Sequence, residues 1–102
     1  MVLKRVDDYI QERQAVSPEF AQAYDQAEID LEIAVAVKQL RDSLGLSQRA
    51  FADLIGKPQS TIARIEAGAV TASNKTLAEI AQKTHKQLRI QFIPQLSNQV
   101  QH

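Results

Sequence analysis

The spacing of apolar residues predicts a helical chain. Apolar positions recur at three- and four-residue steps through most of the sequence, which is the spacing of one face of an α-helix. This spacing predicts a short helix over residues 3–14 and a core helix over residues 29–44. Between them, Ser17-Pro18-Glu19 is a typical helix start, with a capping serine and a proline at the first helical position. Whether that second helix breaks or continues around residues 27–30 stays open from the sequence.

Glycine and serine divide the middle of the chain into further short helices. Gly45, Gly56 and Gly68 stand where helices often end in left-handed backbone. Ser47 and Ser73 can cap the helices that follow them, and Pro58 stands near the start of another. The predicted core faces consist of Ile29, Ile33, Ala36, Val37, Leu40, Leu44, Ala50, Phe51, Leu54, Ile55, Ile62, Ile65, Leu77, Ile80 and Ala81.

The period changes near the end of the sequence. Leu88, Ile90 and Phe92 alternate with polar residues, which predicts a short β-strand over residues 87–94 that Pro94 ends. A lone strand cannot satisfy its own backbone hydrogen bonds. We therefore expect it to pair outside the chain, most simply with the same strand of a second copy, so that these three apolar residues mediate dimerisation. The alternative is an extended tail on the helices, and residues 95–102 are expected to form a flexible tail.

Composition narrows the possible classes of protein. The 102 residues contain no cysteine and two distant histidines, and they form no glycine-rich phosphate loop. These absences predict no metal site, no cofactor and no enzyme. No apolar run approaches the roughly 18 residues of a membrane span, and the first residues do not resemble a signal peptide. We expect a cytoplasmic protein.

Charge is segregated along the sequence although the net charge is zero. Residues 1–32 hold three basic and eight acidic groups, whereas residues 33–102 hold nine basic and four acidic groups. Such segregation suggests two surfaces with different partners. The alternative is two solvated faces without partners.

Residues 46–68 contain the most informative motif. They predict two short helices that meet at a tight turn around Gly56, with the small Ala52 allowing a close crossing. Ile62 and Ile65 would anchor the second helix and leave its other side exposed. This is the arrangement of a helix-turn-helix, whose second helix enters the major groove of DNA.

The motif resembles the phage-repressor-type helix-turn-helix proteins of the Xre, or Cro/CI, family. The resemblance rests on Ser47-Gln48, Ala52, Gly56, Ile62, Ile65-Glu66 and Gly68. It implies an all-α fold: a five-helix helix-turn-helix domain over residues 29–86, preceded by an acidic helical arm over residues 1–28. The family pattern also suggests that Glu66 has a structural role, paired with an arginine of the preceding helices.

The flanking segments extend the resemblance to antitoxins of the HigA type. These are Tyr9, Ser17-Pro18-Glu19-Phe20 and Tyr24 before the core, and residues 88–94 after it. The resemblance implies a homodimer that represses its operon on double-stranded operator DNA. It also implies neutralisation of a RelE/HigB-like ribonuclease toxin by direct binding. The alternative is a stand-alone Xre-family repressor without a toxin partner.

Two sets of site residues follow from these expectations. Gln59 and Ser60 would read base edges, Gln suiting adenine, while Arg64 would reach guanine or a phosphate. Thr61 would touch a thymine methyl or a phosphate, or support the helix, and Gln48 would bind a phosphate and brace the recognition helix. Arg49, Lys57 and Lys75 are candidate phosphate contacts or solvated charges. The toxin-binding candidates are Asp7, Asp8, Ile10, Glu12, Phe20, Tyr24 and Asp25.

Overall fold

The computed structural model describes residues 18–94, and this part of the chain is helical. Its four helices are α1 (Pro18–Ser43), α2 (Gln48–Ile55), α3 (Gln59–Glu66) and α4 (Asn74–Lys83). One compact unit spans Asp25–Leu88, whereas residues 18–24 and 89–94 belong to a second unit. None of these helices is long and apolar enough to cross a membrane. The helix predicted over residues 3–14 lies outside the described residues.

The helix α1 runs without a break through residues 27–30, the point that the sequence left open. It contains no glycine and no proline after Pro18, and Gln26 Nε2 donates a hydrogen bond to Asp30 Oδ1 at 2.9 Å, one turn further on. The predicted five-helix count is therefore not supported. Residues 29–86 contain the end of α1 together with α2, α3 and α4, and no fifth helix follows Lys83 within the described residues.

The core of the compact unit lies between α2, α3 and the C-terminal half of α1, with α4 closing it. Phe51 and Ile62 are completely buried at its centre. The buried cluster consists of Val37, Phe51, Ala52, Ile55, Ile62, Ile65 and Ile80. Four residues predicted in the core are exposed instead: Ile29, Ala36, Leu44 and Leu54. Leu44 lies in the turn just after α1, and the other three lie on helices at positions that stay exposed.

The helix ends follow the predicted capping pattern. The amides of Ala50 and Thr76 donate to the hydroxyl oxygens of Ser47 and Ser73, each at 3.1 Å, which confirms both serine caps. Gly45, Gly56 and Gly68 all have positive φ. The predicted cap at Ser17 lies outside the described residues.

One helix end differs from the pattern. His85 follows α4 with φ of 58°, in the left-handed region that favours glycine. The amide of Lys86 donates to the carbonyl of Ala81 at 2.8 Å and closes the helix end. The sequence offers no glycine there, so the pattern did not predict this conformation.

The β-strand predicted over residues 87–94 is wrong. These residues form no strand, and no strand occurs elsewhere in residues 18–94. An isolated extended segment has no neighbouring strand with which its backbone could form hydrogen bonds. Leu88, Ile90 and Phe92 are exposed, Phe92 fully.

Candidate nucleic-acid interface

The helices α2 and α3 form a helix-turn-helix. Gly56 ends α2 with φ of 81°, and the amide of Lys57 bonds back to the carbonyl of Ala52 at 3.0 Å. A Cβ on Gly56 would meet no atom within 4 Å. The turn therefore requires glycine for its left-handed backbone rather than for space. Ile62 and Ile65 are buried on the inner side of α3 and fix its orientation.

The outer side of α3 brings predicted DNA-binding residues together. Gln59, Ser60 and Arg64 are exposed within its first two turns, and Thr61 is half-buried beside them. A glutamine amide can both donate to and accept from adenine, and a guanidinium can donate two bonds to guanine. The arrangement can therefore read base edges from one side of a short rigid helix. The half-buried Thr61 leaves its predicted alternatives open.

A charged cluster holds the end of α3 against α1 and α2. Arg41 Nε and Nη2 donate to the two carboxylate oxygens of Glu66 at 2.7 and 3.0 Å. Gln48 Nε2 donates to Glu66 Oε1 at 3.0 Å, and Arg41 Nη1 donates to the carbonyl of Leu46 at 2.9 Å. Only 13% of the Arg41 side chain and 5% of the Glu66 side chain are exposed. The structural role predicted for Glu66, paired with an arginine, is confirmed.

A comparison with protein families identifies this arrangement. The helix-turn-helix family model matches residues 37–90, which is more than half of the chain. The chain belongs to the helix-turn-helix family. The matching type is the Xre, Cro and CI one, so the protein is a DNA-binding transcription regulator. No match was found among curated proteins or solved structures.

The ion pair between Arg41 and Glu66 makes the stability of the helix-turn-helix fold depend on pH. Burial, the largest influence, raises the pKa of Glu66, but the hydrogen bonds from Arg41 and Gln48 and the charge of Arg41 together hold it below its ordinary value of 4.5. The hydrogen bond to Glu66 raises the pKa of Arg41. Because the folded-state pKa of Glu66 is lowered, its contribution to stability is present above the unfolded value. That contribution is lost as the pH falls through the folded value.

The predicted phosphate contacts of the helix-turn-helix protein differ in their surroundings. Arg49 and Lys75 are exposed, near the starts of α2 and α4. Gln48 braces α3 through Glu66, as the resemblance implied, and its phosphate contact stays a prediction. Lys57 Nζ lies 2.8 Å from Glu79 Oε1 of α4, and this close ion pair lowers the pKa of Glu79. Lys57 therefore has an intramolecular partner that the sequence did not indicate.

The predicted toxin-binding residues are only partly described. Phe20 and Tyr24 are exposed in the first two turns of α1, and Asp25 is half-buried. Asp7, Asp8, Ile10 and Glu12 lie outside the described residues. Within residues 18–94, no group of three or more histidine, aspartate or glutamate side chains could hold a metal ion.

Proposed function

We propose that this helix-turn-helix regulator is a cytoplasmic antitoxin. It neutralises a RelE/HigB-like mRNA-cleaving toxin by direct binding, and it represses its own operon as a dimer. Its own chain performs no catalytic step. The exposed α3 residues Gln59, Ser60 and Arg64 are the DNA-reading part of this proposal. The acidic arm over residues 1–28, which includes the first turns of α1, is the toxin-binding part.

The negative charge of α1 is the observation that supports the proposed binding of a toxin. Residues 18–32 contain five carboxylates and neither lysine nor arginine. Phe20 and Tyr24, exposed by 58% and 48%, add apolar contact area to the same segment. A toxin that binds RNA has a basic surface, and an acidic helix with aromatic anchors is complementary to it. A surface that served only DNA binding would not need this composition.

Operator binding is proposed to need two copies. A recognition helix as short as α3 reads only a few base pairs, so dimers place two of them about 34 Å apart on successive turns of the major groove. The exposed Leu88, Ile90 and Phe92 are candidates for the contact between copies.

Growth of a bacterial host tests the proposal. The open reading frame beside this gene is expressed from an unrelated promoter, alone and together with this chain. We expect the neighbour to stop growth and the chain to restore it through complex formation, which co-purification of the two proteins checks. A neighbour that does not affect growth would instead leave a stand-alone repressor.

A variant of α3 separates neutralisation from repression. Because the neighbour is transcribed from an unrelated promoter, Gln59→Ala combined with Arg64→Ala should restore growth as well as the natural chain does. It should also lose repression of the native operon in a reporter strain. Failure of this variant to restore growth, although it folds, would contradict neutralisation by direct binding.

A further inference from the structure

The compact unit exposes an apolar pair on α1 that the DNA-binding face does not use. Leu31 and Val35 are exposed by 60% and 48%, one helical turn apart. The buried residues Ala34 and Val37 face the core from another side of the helix. Ala27, one turn before Leu31, is also exposed, so the pair continues as an apolar strip. We call Ala27, Leu31 and Val35 the α1 strip.

Acidic residues accompany the α1 strip. Glu28 and Glu32 are exposed next to it along the helix, and the first lysine or arginine of α1 is Lys38. In the sequence, Phe20 and Tyr24 precede Ala27 at steps of four and three residues, the same register as the strip. The apolar and acidic pattern attributed to the arm therefore does not end at residue 28.

We propose that the basic toxin docks on the α1 strip, with Leu31 and Val35 as apolar contacts and Glu32 facing its cations. This inference rests on the proposed function and extends the predicted docking surface from residues 1–28 into the unit that carries the helix-turn-helix. The toxin would meet a helix that is already folded, since the opposite side of α1 is packed in the core. A preformed helix reduces the entropy lost on binding.

Charge favours a basic protein over the other occupants of such a face. A second copy on the same segment would bring carboxylates against carboxylates, because residues 18–32 contain no cation. DNA would meet the same repulsion from its phosphates. A partner surface on which apolar side chains lie among lysines and arginines would complement both the apolar α1 strip and the carboxylates beside it.

Lysine substitutions test the proposal in the full-length chain. The variant with Leu31→Lys and Val35→Lys should bind the purified neighbouring gene product about tenfold or more weakly than the natural chain in calorimetry, because it adds cations where a basic partner docks. Ile29→Lys is the matched control. Ile29 is 48% exposed, like Val35, but it lies about 160° from Leu31 around the helix axis. It should change affinity by no more than about twofold.

Glu32→Gln provides a milder second variant that keeps the shape of the side chain. It should weaken binding at low salt, and the difference should disappear at high salt because exposed charges are screened. Circular dichroism and operator binding should match the natural chain for all these variants.

The outcomes separate this inference from the proposed function. If the natural chain binds the neighbouring product tightly and the double lysine variant binds equally well, the α1 strip is not the docking site. If the double variant loses self-association in light scattering but retains toxin affinity, a second copy occupies the strip and the inference is wrong. If the natural chain does not bind the product at all, the proposed function fails, and this inference fails with it.

Discussion

The outer face of α3 and the outer face of α1 from Asp25 onward belong to the same compact unit but have different chemistry. The exposed side chains of α3 are Gln59, Ser60 and Arg64, which are polar or basic and can form directional hydrogen bonds. The exposed side of α1 presents Leu31 and Val35 with carboxylates beside them. DNA requires the first kind of surface, because phosphates and base edges are recognised by cations and paired donors and acceptors.

The buried sides of these two helices are much more alike. Ile62 and Ile65 anchor α3, and Ala34 and Val37 anchor α1. The anchoring residues therefore explain the fold but do not distinguish the partners. The exposed residues carry that distinction, and the strong difference between them supports two separate binding surfaces.

Arg41 and Glu66 connect the two helices, so the largest effect is expected there. Glu66→Ala should lower the free energy of unfolding by about 3 kcal/mol, because it leaves a mostly buried guanidinium without its carboxylate. It should also weaken operator binding, since the end of α3 loses its contact with α1 and α2. Urea denaturation and gel-shift titration would measure the two effects.

Glu66→Gln is the control for charge. Below pH 4.5 the natural chain should lose stability as Glu66 gains a proton, whereas the glutamine variant should lose less over the same range. Equal pH profiles for the two proteins would mean that the ion pair contributes little to the stability of the fold.

Much of this fold could be predicted from local sequence. Three glycines and two capping serines mark helix ends, and the apolar spacing identifies Phe51, Ile62 and Ile65 as core. The same spacing placed Ile29 and Leu54 in the core wrongly. Spacing shows which residues share a helix face, but the extent of cover depends on neighbouring helices that are distant in sequence.

The candidate site could be predicted from the sequence to about the same extent as the fold. The family pattern indicated an arginine partner for Glu66, because that motif is local and specific. The pair of Lys57 and Glu79 had no such indication, since the two residues are 22 positions apart, one in the turn after α2 and the other on α4. The predicted strand shows the same limit, because a pattern suited to a strand gives no information about the partner that a strand needs.

The second largest expected effect is a loss of operator affinity when the exposed residues of α3 are replaced. Gln59→Ala and Arg64→Ala should each weaken specific operator binding by about 1–3 kcal/mol if these side chains read bases. The double lysine variant of Leu31 and Val35 should leave operator affinity unchanged. Gel-shift titrations against operator and unrelated DNA check both statements. Unchanged operator affinity in both alanine variants would refute the role of α3 as the recognition helix.

A smaller effect is expected at the end of α4, apart from both faces. His85→Gly should raise the free energy of unfolding by about 0.5 kcal/mol, because glycine adopts the left-handed backbone there without steric strain, although it also gains entropy in the unfolded chain. Operator and toxin affinities should stay the same. His85→Ala is the control and should bring no gain. A stabilised protein with altered operator affinity would show that α4 influences the α3 face.

The smallest effect is expected at Lys57. If Lys57 contacts a DNA phosphate, its removal changes the salt dependence of operator affinity; if it only pairs with Glu79, its removal changes that dependence little. Loss of a phosphate contact by Lys75→Ala should reduce the slope of log affinity against log salt concentration by about 0.9. Lys57→Ala should reduce it much less, because its ammonium group is bound to Glu79 at 2.8 Å. Glu79→Gln should cause a slight loss of stability similar to that of Lys57→Ala, and combining the two should add little. If Lys57→Ala reduced the slope as much as Lys75→Ala does, Lys57 would leave Glu79 for a phosphate on DNA, and the turn would belong to the operator-binding surface.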